Sequence, residues 1–224
     1  MAVYWIYLIA LIALPLYAQM KVKSTYSKYS KVTSTSGMTG AEVARRILDE
    51  NGLFNVKVVP HQGLLSDHYN PMTKVVALSE DNYYGHSVAG TAVAAHEVGH
   101  AIQDAQNYNF LRVRHMLAKP AAYTSNLSFV FIMIGLIASS MTSMLWIGIA
   151  MMAVGVLFQV VTLPVEFDAS KRAMDQVVQL GIINNEEEPQ AKKVLSAAAM
   201  TYVAATAVAV LELVRLILIA TNRD

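Results

Sequence analysis

What this chain can fold into is set first by its uncharged apolar runs. Residues 2–20, 123–140 and 144–163 contain no Asp, Glu, Lys or Arg, and residues 194–220 contain only Glu212 and Arg215. Each run approaches the roughly 20 residues a helix needs to cross a hydrocarbon core about 30 Å thick. Composition agrees: charged residues make up 15% of the 224 and hydrophobic ones 55%, where a soluble domain carries about 25% charged. The chain is expected to be a mostly α membrane protein with about four transmembrane helices. Membrane lipid is therefore an expected partner. A net charge of +1, with no Arg-rich recognition motif, argues against nucleic acid. The absence of cysteine removes disulfides, thiolate ligands and cysteine nucleophiles, so a bound metal must use histidine, carboxylate or water.

Lys21 and Lys23 follow the first run, whereas a secretion signal carries its positive charge ahead of the apolar stretch. Despite a weak processing-like Tyr17-Ala18-Gln19, residues 1–20 read as a retained helix. Lys21 to Ser36 reads as a solvated Ser/Thr/Lys/Tyr linker. Thr39 and Glu42 have capping-box spacing ahead of Val43, Ile47 and Leu48, which predicts a helix over Gly40 to Asn51. Asn55 to Val59 and Lys74 to Leu78 are rich in strand formers, and Asp67 to Pro71 between them reads as a turn. Ser87 to about Asn107 has a helical pattern. Pro164 is expected to close the third apolar run.

The chain thus divides into a transmembrane helix (1–20), a polar catalytic segment (21–122), a transmembrane hairpin (123–163), a second polar segment (164–195) and a last transmembrane helix (196–220). Lys21, Lys23, Lys28, Lys31, Arg112, Arg114 and Lys119, with Lys171, Arg172, Lys192 and Lys193, all fall in the two polar segments, and the hairpin tip has no basic residue. Basic residues in short flanking loops stay in the cytoplasm, so both polar segments are expected there. Glu212 and Arg215, three apart on one helical face, read first as a mutual ion pair and second as part of a site.

Chemistry enters with His96-Glu97-Val98-Gly99-His100. Residues four apart on a helix lie on one face, so two imidazoles can meet one ion while Glu97 stands at the edge as a general base. Gly99 costs roughly 1 kcal/mol in a helix interior, which implies close packing there. Catalytic zinc takes three protein ligands. His61, His68, His86 and His115 are candidates for the third, but none has helical spacing to the pair; a carboxylate, Glu166 after Pro164, is the alternative. Asp168 and Ser170 are candidates to orient a ligand histidine through its other ring nitrogen.

The stretch Val93 to Gln103, with Leu163-Pro164-Val165-Glu166-Phe167-Asp168-Ala169-Ser170 after a hairpin, and with Ser36 to Glu42 and Asp67 to Pro71, resembles the YugP-type bacterial membrane zinc metallopeptidases. These are similar in layout to the HtpX and CAAX prenyl protease group. The resemblance implies a zincin-like α+β catalytic part with a small sheet, facing the cytoplasm of a multi-pass protein in the bacterial plasma membrane. It implies Zn2+ on His96, His100 and Glu166, Glu97 as catalytic base, and a peptide or membrane-protein substrate. One position departs from the HtpX-like pattern: the aspartate expected four residues after the ligand glutamate is Ser170. His68, Tyr69 and Tyr202 are candidate oxyanion or substrate contacts, and Lys74 to Leu78 reads either as an exposed edge for pairing an extended substrate or, equally, as an interior strand of a small sheet. The rival reading is a non-catalytic membrane zinc-binding adaptor or scaffold, to which Glu97 would be superfluous.

Overall fold

The computed structural model describes residues 2–138 and 141–223. Met1, in the expected first span, and Ser139 and Ser140, at the expected end of the second, lie outside the described residues. The chain separates into two compact units. One comprises Met1–Leu16, Asn109–Pro164 and Tyr202–Asp224, and the other Tyr17–Tyr108 and Val165–Thr201.

In the second unit the first part of the expected linker, Lys21 to Tyr29, is helix. Helix α1 spans Ala2–Tyr29, and Tyr26 and Tyr29 are buried. The Tyr26 hydroxyl donates to Asn82 Oδ1 at 2.7 Å. Two large side chains three apart on one face give this polar stretch a buried stripe, which its Ser/Lys composition hides. Helix α2, Gly40–Glu50, opens on the expected capping box: Glu42 N donates to Thr39 Oγ1 at 3.2 Å and Thr39 N to Glu42 Oε2 at 2.8 Å. Its Val43, Ala44, Ile47 and Leu48 are fully buried, the i, i+1, i+4, i+5 face of an amphipathic helix.

Three strands follow: β1 Lys57–His61, β2 His68–Asn70 and β3 Val75–Ser79, in the order β1-β3-β2. Strand β3 pairs parallel with β1 and antiparallel with β2. Two expectations are corrected here. Residues 74–78 are not an exposed edge, because β3 is the central strand and its Val76, Ala77 and Leu78 are buried; its continuous apolar run is that of a covered strand. The expected turn at Asp67 to Pro71 holds edge strand β2, fixed by Asp67 Oδ1 accepting from Ser79 N at 2.7 Å and Asp67 Oδ2 accepting from Asn82 Nδ2 at 3.0 Å. Helix α3, Glu80–Tyr84, leads to helix α4, Val88–Ala105. The expected helix around the histidine pair is thus present, with Ser87 Oγ accepting from Gly90 N at 3.0 Å as its cap.

Helices α5, Asn109–Ile137, α6, Thr142–Gln179, and α7, Glu188–Thr221, are each long and apolar enough to cross a membrane. Among the described residues these are three such helices. Pro164 does not close α6, which continues to Gln179. An internal proline costs about 3 kcal/mol, but Val165, Ala169, Ala173 and Val177 beyond it recur every four residues and are almost fully buried. Packing of that stripe outweighs the lost hydrogen bond. In the first unit, Leu145, Ile149, Leu216 and Ala220 form a core. The expected Glu212–Arg215 ion pair forms there, and the Tyr7 hydroxyl also donates to Glu212.

Candidate metal centre

Helix α4 presents His96 and His100 one turn apart, with ring centroids 4.8 Å from each other. Glu166, in the part of α6 belonging to the same unit, turns its carboxylate to both: Oε2 lies 3.3 Å from His96 Nε2 and 3.7 Å from His100 Nε2. One ligand atom from each residue falls within 4.8 Å of the others. The edge of a zinc tetrahedron with ligands at 2.0–2.1 Å is about 3.3 Å. Two imidazole nitrogens and one carboxylate oxygen are also a donor set that zinc accepts, so the residues fit the ion. Glu166 is 2% exposed. It sits within a continuous helix rather than at a helix start, so the α6 stripe that packs against the unit's interior also fixes its direction.

Gly99 explains how the helices come so close. A Cβ built there would lie 2.5 Å from the Ala169 carbonyl oxygen and 3.1 Å from its carbon, which is backbone and cannot rotate away. Gly99→Ala is therefore expected to force α4 and α6 apart, destabilising the protein by about 1–3 kcal/mol and loosening the three-residue cluster. Thermal unfolding and the zinc content of the purified variant measure both effects.

The outer ring nitrogens are engaged. His96 Nδ1 lies 3.2 Å from Ser170 Oγ, and His100 Nδ1 lies 3.1 Å from Gln103 Oε1. Asp168 reaches neither imidazole; it accepts from Gln103 Nε2 at 2.8 Å and Arg172 Nε at 2.5 Å. Gln103 was invisible as a site residue because glutamine is uncommon among such partners, although its i+3 spacing from His100 puts it on the ligand face.

Glu97 is buried beside the cluster. Burial pushes its carboxyl up from 4.5 to about 7, opposed by the neighbouring His96 and reinforced by Asp67 and Glu166. Between those two values the folded chain holds more protons than the unfolded chain, so this contribution to stability is full below 4.5 and is lost as pH rises through about 7. A rise of that size corresponds to roughly 3 kcal/mol. In chelated protein, Glu97→Gln is expected to match the wild type in thermal stability at the acid end of this window and to exceed it at the alkaline end.

The other candidates lie outside the cluster. His68 is exposed, with Nδ1 2.9 Å from the Ser66 carbonyl and its ring edge-on to His61 at 5.2 Å. Tyr69 donates to Asp104 Oδ2 at 2.6 Å; burial, then that acceptor, hold its hydroxyl protonated well above its ordinary range. Lys74 Nζ shares the same carboxylate oxygen at 2.6 Å, which ties edge strand β2 to the histidine helix. His86 Nδ1 lies 2.9 Å from the Gly37 carbonyl, and Tyr202 falls in the first unit.

Residues 4–221 match a protein family described as "Putative neutral zinc metallopeptidase". A protein of Bacillus subtilis (strain 168) named "Putative membrane protease YugP" is 48% identical over 214 residues, covering 96% of this chain and 95% of that protein. No solved structure matches. With the family covering nearly the whole chain, and His96, His100 and Glu166 gathered as a zinc-type donor set, the chain belongs to this family of neutral zinc metallopeptidases.

Proposed function

We propose that the protein is an integral-membrane zinc endopeptidase of the gluzincin type, in which His96, His100 and Glu166 hold the ion and Glu97 is the catalytic base. The observation that carries this reading is the convergence of three donors from α4 and α6 within 4.8 Å, with a buried carboxylate, Glu97, next in sequence to one of them. When bound, zinc supplies Lewis-acid activation of a water and of the scissile carbonyl. Glu97 accepts the water's proton on its carboxylate and returns it to the departing amine. Its place beside His96, one of the proposed ligands, puts the carboxylate within reach of a water held at the open coordination position. Ser170 and Gln103 orient the rings so that both Nε2 atoms face Glu166.

Substrate backbone pairs with the outer edge of β2, since β3 is covered on both sides. His68 and Tyr69 on that strand are positioned to contact it. Helices α5, α6 and α7 cross the membrane and residues 2–20 of α1 provide a fourth span. The basic residues flanking these spans support a cytoplasmic metal centre, and a site at that surface favours membrane proteins and membrane-proximal segments as substrates. The test is metal analysis of purified protein combined with digestion of casein and a model membrane protein, with and without chelator. Bound zinc together with chelator-sensitive cleavage supports the proposal. Bound zinc without cleavage of either substrate favours an adaptor.

A further inference from the structure

Gln103 is fully buried, and each of its amide atoms has a defined partner. Nε2 lies 2.8 Å from the Val165 carbonyl oxygen and 2.8 Å from Asp168 Oδ2. Both partners are acceptors, so they take the two amide hydrogens and fix which way the amide faces. Oε1 is then the atom that meets His100 Nδ1, at 3.1 Å. An amide oxygen only accepts, so His100 Nδ1 must be the donor, which leaves the lone pair on Nε2, the nitrogen facing Glu166. The Val165 carbonyl belongs to the residue immediately before Glu166. One buried amide therefore sets the tautomer and ring direction of one ligand and holds the backbone that presents another.

We propose that Gln103 is a positioning residue of the metal centre, clamping His100 on α4 to the Val165–Glu166 segment of α6 so that their ligand atoms converge before any ion arrives. The inference rests on the metal-site reading above. It extends that reading by making one side chain responsible for the mutual placement of ligands from two helices, with Asp168 and Arg172 as its anchor rather than as partners of a histidine. Arg172 in turn donates from Nη1 to Gln106 Oε1 at 2.6 Å, so the anchor returns to the end of α4.

The clamp distinguishes glutamine from its closest substitutes. Gln103→Leu keeps bulk and removes all three bonds. Gln103→Glu keeps an acceptor for His100 but turns an oxygen toward Val165 O and a second negative charge toward Asp168, so it should fail despite near-identical shape. The experiment uses full-length protein in detergent, stripped by chelator and titrated with zinc or cobalt(II) alone. Both variants are expected to bind zinc 10–100-fold more weakly than wild type. At saturating cobalt their visible d–d bands should be shifted, which reports ligand geometry per bound ion. Thermal unfolding of the stripped proteins separates positioning from folding. Wild-type affinity with unchanged cobalt bands in Gln103→Leu overturns the inference, as does an affinity loss that follows the stability of the stripped protein while the bands stay the same. Absence of stoichiometric zinc binding by the wild type would overturn the metal-site reading itself, and this inference with it.

Discussion

Glu97→Gln is expected to lower proteolysis by roughly 10²–10⁴-fold while the protein retains its zinc. Glutamine fills the same volume but cannot accept the proton of the attacking water. Glu97 does not belong to the three-residue donor cluster, so metal content should stay at the wild-type level by elemental analysis. Turnover of casein and zinc stoichiometry are the paired readouts. A variant that keeps activity would show that the base is another group, and one that loses zinc in parallel would give Glu97 a structural role in the centre.

Glu166→Ala is expected to act one step earlier. The carboxylate lies 3.3 Å and 3.7 Å from the two imidazole nitrogens, and without it the ion keeps two protein ligands where a catalytic zinc site has three. Zinc affinity should fall by more than the 10–100-fold typical of losing a ligand's hydrogen-bonding partner, and activity should vanish with it. Competition against a chelator of known affinity measures the loss. Since Val165, Ala169, Ala173 and Val177 carry the packing of this part of α6, the fold should persist, and circular dichroism of the variant would check this. Retention of full zinc affinity would remove Glu166 from the centre and return the third-ligand question to the histidines outside the cluster.

Much of the fold was legible where local chemistry dominates. The Thr39–Glu42 box fixed the start of α2, Ser87 the start of α4, and the three later apolar runs marked helices long and apolar enough for a bilayer, because capping and hydropathy depend on residues close in sequence. Elements set by distant contacts were misread. Lys21 to Tyr29 looks solvated until Tyr26 meets Asn82, 56 residues away. Pro164 looks like a stop until the stripe beyond it finds its packing. The order β1-β3-β2 cannot be had from strand propensity, which says that residues 75–79 pair but not with how many neighbours.

The candidate site divides in the same way. That His96 and His100 can share an ion while Glu97 stands beside them follows from the helical repeat alone, and no tertiary contact is needed to argue it. The gathering of Glu166 with them, the attachment of Ser170 to one ring and the employment of Gln103 on the other depend on Gly99 letting α4 lie against the Ala169 backbone. Periodicity is a property of one segment and can be read from it. Which atoms of two segments more than 60 residues apart come within bonding distance is set by how their surfaces pack.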